Sequence, residues 1–161
     1  MAVRAFPIGE HVMNIGTREA AIAEARTWLG TPYHHRARIK GAGVDCLLLL
    51  HEVYVRAGVF EAVGIDPQTI VIPEYPADIM LHRSEETYLE GIRQYAAEVA
   101  VPEPGNIALW KFGRIYSHAA IIVDWPTVIH AYRPEKIVSL GDVSIGEFVG
   151  RAVKFFDPWG M

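Results

Sequence analysis

The chain has 161 residues, which fits one domain with a single sizeable hydrophobic core. Apolar residues make up 51% and charged residues 21%, so the composition is that of a globular protein rather than a disordered one. The formal net charge of −4 argues against a nucleic-acid binder, because phosphate contacts need a clustered positive surface and the densest basic patch, 36–40, is short.

Two further classes of segment are not found in the sequence. No stretch approaches the roughly 20 apolar residues that a membrane helix needs, and the first residues contain no apolar run of signal-peptide length. We therefore expect a product that is made in the cytoplasm without a signal peptide and without membrane insertion.

The first half of the chain predicts helices. Residues 1–16 show no periodicity and are expected to form an irregular arm. Thr17 is a good N-cap residue, and the apolar stripe that follows it predicts a helix ending at Gly30. An extended, glycine-containing loop should follow to residue 43. A second, largely apolar and therefore buried helix is predicted over 46–57, with Asp45 at its N-cap.

The second half predicts strands. Residues 59–83 read as a connecting region with several prolines, and Ser84 is predicted to cap a third helix whose apolar stripe extends to Val99. Short strand-like runs follow the Pro104-Gly105 turn. These runs are 107–110, 119–123, 128–131, 137–140 and 152–156. Helices followed by closely spaced strands predict an α+β fold with an antiparallel sheet, as one domain over 1–161 with a core at 17–156.

Cys46 is the single cysteine, so it is either an inert core residue or a working thiol. Its predicted position, in the first turn of a buried helix directly after Asp45, favours the second interpretation. Backbone N–H groups and the helix dipole there favour a thiolate and should lower the thiol pKa. A nucleophilic thiol also needs a base, which must come from elsewhere in the chain.

Two histidines in the strand half are candidates for that base. His118 begins the predicted strand at 119–123, and His130 lies near the end of the strand that follows the turn at 124–126. A hairpin would place the two rings side by side at one sheet edge. One imidazole would then act as the base for the thiol. The other would fix the tautomer of the first imidazole by a hydrogen bond, as in catalytic triads.

Five motifs in this order resemble the NlpC-type cell-wall cysteine peptidases, which are papain-like hydrolases with an α+β fold. The resemblance covers about residues 17–156. The motifs are Gly30-Thr31-Pro32-Tyr33, Val44-Asp45-Cys46, Pro104-Gly105-Asn106, Ser117-His118-Ala119-Ala120-Ile121-Ile122 and Val128-Ile129-His130-Ala131.

The resemblance implies a role for each matched residue and implies no cofactor or metal. Cys46 matches the nucleophile, His118 the base and His130 the residue that orients it. Tyr33 matches a tyrosine near the nucleophile that helps the oxyanion hole, where the Cys46 backbone N–H is a further donor; Asp45 belongs to the same oxyanion and substrate-binding group. The implied substrate is a peptidoglycan stem peptide, cleaved at the γ-D-glutamyl–diaminopimelate bond.

The chain is most similar to the branch of these peptidases found in phage tails and gene transfer agents. This implies a virion component that binds a tail-tip or hub protein and opens the wall for DNA entry. It departs from the wider family at Leu47 and Leu48, where Ser-Gly is usual, although a leucine at the first position is familiar from this branch.

Other interpretations remain open at the level of sequence. Cys46, His118 and His130 would also make a three-ligand zinc site, and His34, His35 and His51 invite a metal interpretation, although solvated or core histidines explain them as well. An amidase or transpeptidase-like enzyme would use the same Cys-His pair. A structural tail component would retain the fold without activity.

Overall fold

A computed structural model describes residues 14–78 and 86–161. Within them four α-helices precede most of the strands. The helices are α1 (Arg18–Arg26), α2 (Cys46–Arg56), α3 (Val59–Ala62) and α4 (Thr87–Arg93). The strands are β1 (Arg38–Ile39), β2 (Gly43–Val44), β3 (Ala97–Val99), β4 (Ile107–Phe112), β5 (Ile115–Asp124), β6 (Thr127–Tyr132), β7 (Ile137–Asp142) and β8 (Val153–Asp157).

Strands β3 to β8 form one antiparallel sheet in the order β3-β8-β4-β5-β6-β7. The strands β1 and β2 form a separate two-stranded hairpin. The predicted α+β class, with N-terminal helices and a C-terminal antiparallel sheet, is confirmed.

Helix α2 is the central helix because it is apolar on most faces. Its side chains pack with those of α1 and with the sheet strands β5 and β6 into the main core. The helix begins at Cys46, as predicted, and ends one residue before Ala57, its C-cap. Gly58 follows with φ of +71°, a conformation that favours glycine and turns the chain into α3.

The sheet separates two apolar clusters because side chains alternate along each strand. On β5, Ala119 and Ile121 belong to the helix-facing core. Ala120 and Ile122 belong to the second cluster on the opposite face, together with Trp110 and Phe148. His118 contacts Trp110 and Phe148, so its ring lies with this second cluster.

Two predicted helix ends are wrong. Helix α1 stops at Arg26, and Leu29 is exposed. The chain turns away from the helix axis here, and the Gly30 N–H donates to the Val138 carbonyl of β7 instead of to a helical carbonyl. Helix α4 stops at Arg93, and Val99 lies in β3, where pairing with β8 takes the place of a further helical turn.

Part of the predicted organisation lies outside the described residues. This applies to the arm at 1–13 and to the Ser84 cap. The described part of the predicted connecting region 59–83 contains α3, a 3₁₀ turn at Pro67–Thr69 and a run without regular secondary structure. In the part of the chain that is described, no helix combines the length and the apolar character that crossing a membrane requires.

Candidate active site

The start of α2 is fixed by the carboxylate of Asp45, which is 1% exposed. Its Oδ1 accepts the Leu48 N–H at 3.0 Å and so caps the helix. Its Oδ2 accepts the Tyr75 hydroxyl at 2.6 Å and the Arg36 N–H at 2.7 Å. One buried carboxylate therefore connects the start of α2 to the loops before and after the helix. Through these hydrogen bonds Asp45 positions Cys46, the residue that follows it.

Cys46 is the first residue of α2, and its thiol lies against the middle of β5. The Sγ atom is 3.9 Å from the Ser117 carbonyl oxygen, to which the thiol donates. Burial, with a smaller effect of the Asp45 charge, raises the pKa of the Cys46 thiol to about 12. The backbone N–H groups of Ala119, Cys46 and Leu47 lower the pKa but are outweighed. The thiol pKa is therefore shifted in the direction opposite to the predicted one.

His118 and His130 are joined directly, as the hairpin predicts. The distance between His118 Nε2 and His130 Nδ1 is 3.0 Å. Both residues lie on inner strands rather than at a sheet edge, because β4 and β7 flank the hairpin. With Nε2 of His118 used in this bond, Nδ1 is the ring nitrogen that can act as a base.

The His118–His130 pair lies in an aromatic environment. Besides His130, four rings of the described residues have centroids within 6 Å of that of His118, and one of them, the Tyr132 ring, also stacks on His130 at 4.9 Å and 9°. Those four belong to Trp110, Phe112, Tyr132 and Phe148.

Burial is the main reason that the pKa of His118 lies well below its usual value, with the neighbouring His130 acting in the same direction. Burial also lowers the pKa of His130 to about 4. Burial therefore disfavours the charged form of both imidazoles, as it disfavours the charged form of the thiol.

Cys46, His118 and Tyr33 line one cleft. The Tyr33 N–H donates to the Lys136 carbonyl at 2.9 Å, and a bridge to Val44 holds the residue next to the start of α2. Burial and the Cys46 charge raise the pKa of the Tyr33 hydroxyl, so it stays a neutral donor near the thiol. His130 lies behind His118.

Sequence reasoning missed Tyr75, because the segment around it has no apolar periodicity. The residue is 3% exposed, and its ring packs edge-on against Tyr88, which lines the cleft. The signal available in the sequence was a tyrosine between two prolines, Pro73 and Pro76, whose partner Asp45 is seen only in the structure.

Three other histidines lie within the described residues, His34, His35 and His51. His35 is bonded through Nε2 to the Tyr75 carbonyl at 3.1 Å, His51 lies beside Arg38 and Glu52, and His34 is exposed. Within residues 14–78 and 86–161, no group of three or more His, Cys, Asp or Glu side chains is arranged to hold a metal ion.

Comparison with solved structures places this geometry among known folds. The chain resembles the NlpC/p60 domain of the peptidoglycan hydrolase SagA with a TM-score of 0.53 and 21% identity, over 86% of this chain and 97% of that domain. The fold is that of the NlpC/p60 domains. No protein-family model matches the sequence, and none of the curated proteins matches it.

Two longer proteins contain the same fold. An NlpC/p60 family protein from Bacillus cereus matches with a TM-score of 0.59 and 18% identity, over 88% of this chain and 40% of its own length. The peptidoglycan hydrolase RipB from Mycobacterium tuberculosis matches with a TM-score of 0.54 and 17% identity, over 88% and 64% respectively. These likenesses establish the fold.

The buried neutral histidines predict a stability that falls with acid. His130 has a pKa of about 4 in the folded protein against about 6.5 unfolded, so below pH 6.5 the unfolded chain binds more protons. Between pH 7.5 and pH 5, we expect the protonation of His130 in the unfolded chain to lower the unfolding free energy by about 2 kcal/mol. Urea unfolding at several pH values measures this. His130→Asn should flatten the dependence and His34→Asn should leave it unchanged; equal slopes for all three proteins would contradict the prediction.

The Asp45 network predicts a second stability effect. Tyr75→Phe removes a buried hydrogen bond to a carboxylate and leaves Asp45 with one partner fewer, so the unfolding free energy should fall by about 2 kcal/mol. Tyr95→Phe is the matched control, since the Tyr95 hydroxyl makes no hydrogen bond to the described residues. If chemical denaturation gives the two variants the same unfolding free energy, the network does not stabilise the fold.

Proposed function

We propose that this protein is a cysteine peptidase that hydrolyses an amide bond in the stem peptides of peptidoglycan. The observation that carries the proposal is the thiol of Cys46 at the start of a buried helix, in one cleft with a histidine that is hydrogen-bonded to a second histidine. The NlpC/p60 fold supports it, because SagA and RipB are named as peptidoglycan hydrolases.

Acylation begins with proton transfer within the site. As the substrate carbonyl enters the cleft, Nδ1 of His118 takes the proton of the Cys46 thiol, and the sulfur forms a bond to the carbonyl carbon. The His118–His130 bond orients the imidazole and stabilises the imidazolium that forms. The Tyr33 hydroxyl and the Cys46 N–H are the donors for the oxyanion.

Collapse of the tetrahedral intermediate breaks the C–N bond. His118 returns its proton to the leaving amine, so the amine departs neutral and a thioester remains on Cys46. His118 then takes a proton from water, whose oxygen attacks the thioester, and the thiolate that leaves recovers the proton. Each cycle consumes one water and releases one amine and one carboxylic acid.

The rim of the cleft fits an anionic peptide. Arg133 and Lys136 line it together with Glu147, so positive side chains outnumber negative ones. A γ-linked D-glutamyl residue keeps a free α-carboxylate next to the scissile bond, and a guanidinium is suited to such a group. We therefore propose the γ-D-glutamyl–diaminopimelate bond as the bond that is cleaved.

The proposal predicts the effect of removing the thiol. Cys46→Ala should fold normally and lose at least ~10³-fold in turnover on purified peptidoglycan, since no other nucleophile lies at this position. Mass spectrometry of the digest should show new D-glutamyl carboxyl ends and diaminopimelate amino ends. Ends at an amide between sugar and peptide would indicate an amidase, and cross-linked products a transpeptidase. Wild-type turnover by the Ala variant would refute the catalytic assignment.

Chemical inactivation separates this mechanism from the zinc alternative. Iodoacetamide should inactivate the protein by alkylating Cys46, while EDTA should leave it active. Loss of activity in EDTA that zinc restores would favour a metal site.

We also propose that the enzyme acts from a phage-type tail tip. The resemblance of the sequence to that branch supports this, and tethering to a particle would raise the local concentration of the enzyme at the wall. The hub protein would be contacted by the arm at 1–16 or by the segment 59–83.

Mass spectrometry of particles purified from the host tests this delivery. We expect the full-length protein in particles, and loss of the protein from particles when residues 1–14 are deleted. A protein that is absent from particles and free in the host cytoplasm would contradict the delivery proposal. Retention of the truncated protein would contradict only the role of the arm.

A further inference from the structure

Gly141 lies inside strand β7, where a glycine has no side chain to contribute to packing. A glycine in the interior of a strand often marks a point at which another group approaches closely. The approaching group here is the ring of His130. A Cβ atom built on Gly141 would lie 2.8 Å from His130 Nε2, 3.2 Å from Cε1 and 3.6 Å from Cδ2, and these are its three nearest atoms.

The register of the sheet explains this approach. His130 on β6 pairs with Ser139 on β7, so Gly141 occupies the diagonal position two residues further on and on the same face. The ring of His130 leans across that position, with Tyr132 stacked on it. The φ of Gly141 lies outside the left-handed region, so an alanine there meets a steric rather than a backbone obstacle.

We infer that Gly141 is a positioning residue of the active site: it leaves the space in which the His130 ring lies at hydrogen-bond distance from His118. This rests on the proposed function. An added methyl group would have to displace the ring, because a 2.8 Å contact is too close for a Cβ. Since Nδ1 of the same ring is bonded to His118 Nε2 at 3.0 Å, the displacement would reach the base.

The test is Gly141→Ala in two backgrounds. In the wild-type background we expect kcat on peptidoglycan fragments to fall at least tenfold, with KM changed less than twofold, because the orientation of the base is affected and the cleft wall is not. In a His130→Asn background the shorter side chain leaves room for the methyl group, so Gly141→Ala should change kcat less than twofold. Gly91→Ala is the control, since a Cβ at Gly91 meets no atom within 4 Å.

A spectroscopic measurement makes the inference independent of activity. The ¹⁵N chemical shifts of His118 Nε2 and His130 Nδ1 should both change in Gly141→Ala, and neither should change in Gly91→Ala. Unchanged shifts, or an equal loss of kcat in the two His130 backgrounds, would overturn the inference. An active Cys46→Ala protein would instead refute the proposed function, and the ¹⁵N shifts would still decide the role of Gly141.

Discussion

The structure of the site depends on a single buried carboxylate. Asp45 is almost wholly removed from water, and such a group is tolerated only when hydrogen bonds replace its hydration. The helix end, the Tyr75 hydroxyl and the Arg36 N–H provide them. Because these partners come from three separate segments, satisfying the carboxylate fixes the position of Cys46 relative to both sides of the cleft.

The second constraint is the low polarity around the proposed dyad. Burial disfavours charge on the Cys46 thiol and on the His118 imidazole. For the thiol, this effect of burial is opposite in direction to the effect of the helix start. In the proposed mechanism, charge develops on these groups when a substrate carbonyl enters the cleft, and the N–H donors at the start of α2 stabilise it.

Much of the fold follows from local sequence signals, and much of the site does not. The bounds of α2 follow from Asp45, an apolar run and Gly58, and the pairing of His118 with His130 follows from the spacing of a hairpin. Tyr75 and Gly141 were not predicted, because the Tyr75 hydrogen bond joins segments 30 residues apart and the contact of Gly141 with His130 depends on the strand register. The shift of the thiol pKa was predicted in the wrong direction. A helix start can be recognised from the local sequence, whereas the burial of the thiol depends on the whole fold.

The order of the sheet has a consequence for how the chain assembles during synthesis. Strands β4 to β7 follow one another as a meander, so they can pair as soon as they leave the ribosome. Strand β3 is made earlier, yet its partner β8 is made last and also pairs with β4. Until Asp157 has emerged, β3 has no partner and β4 presents an open edge to other nascent chains. Among the described strands, β8 therefore completes the sheet by pairing with both β3 and β4.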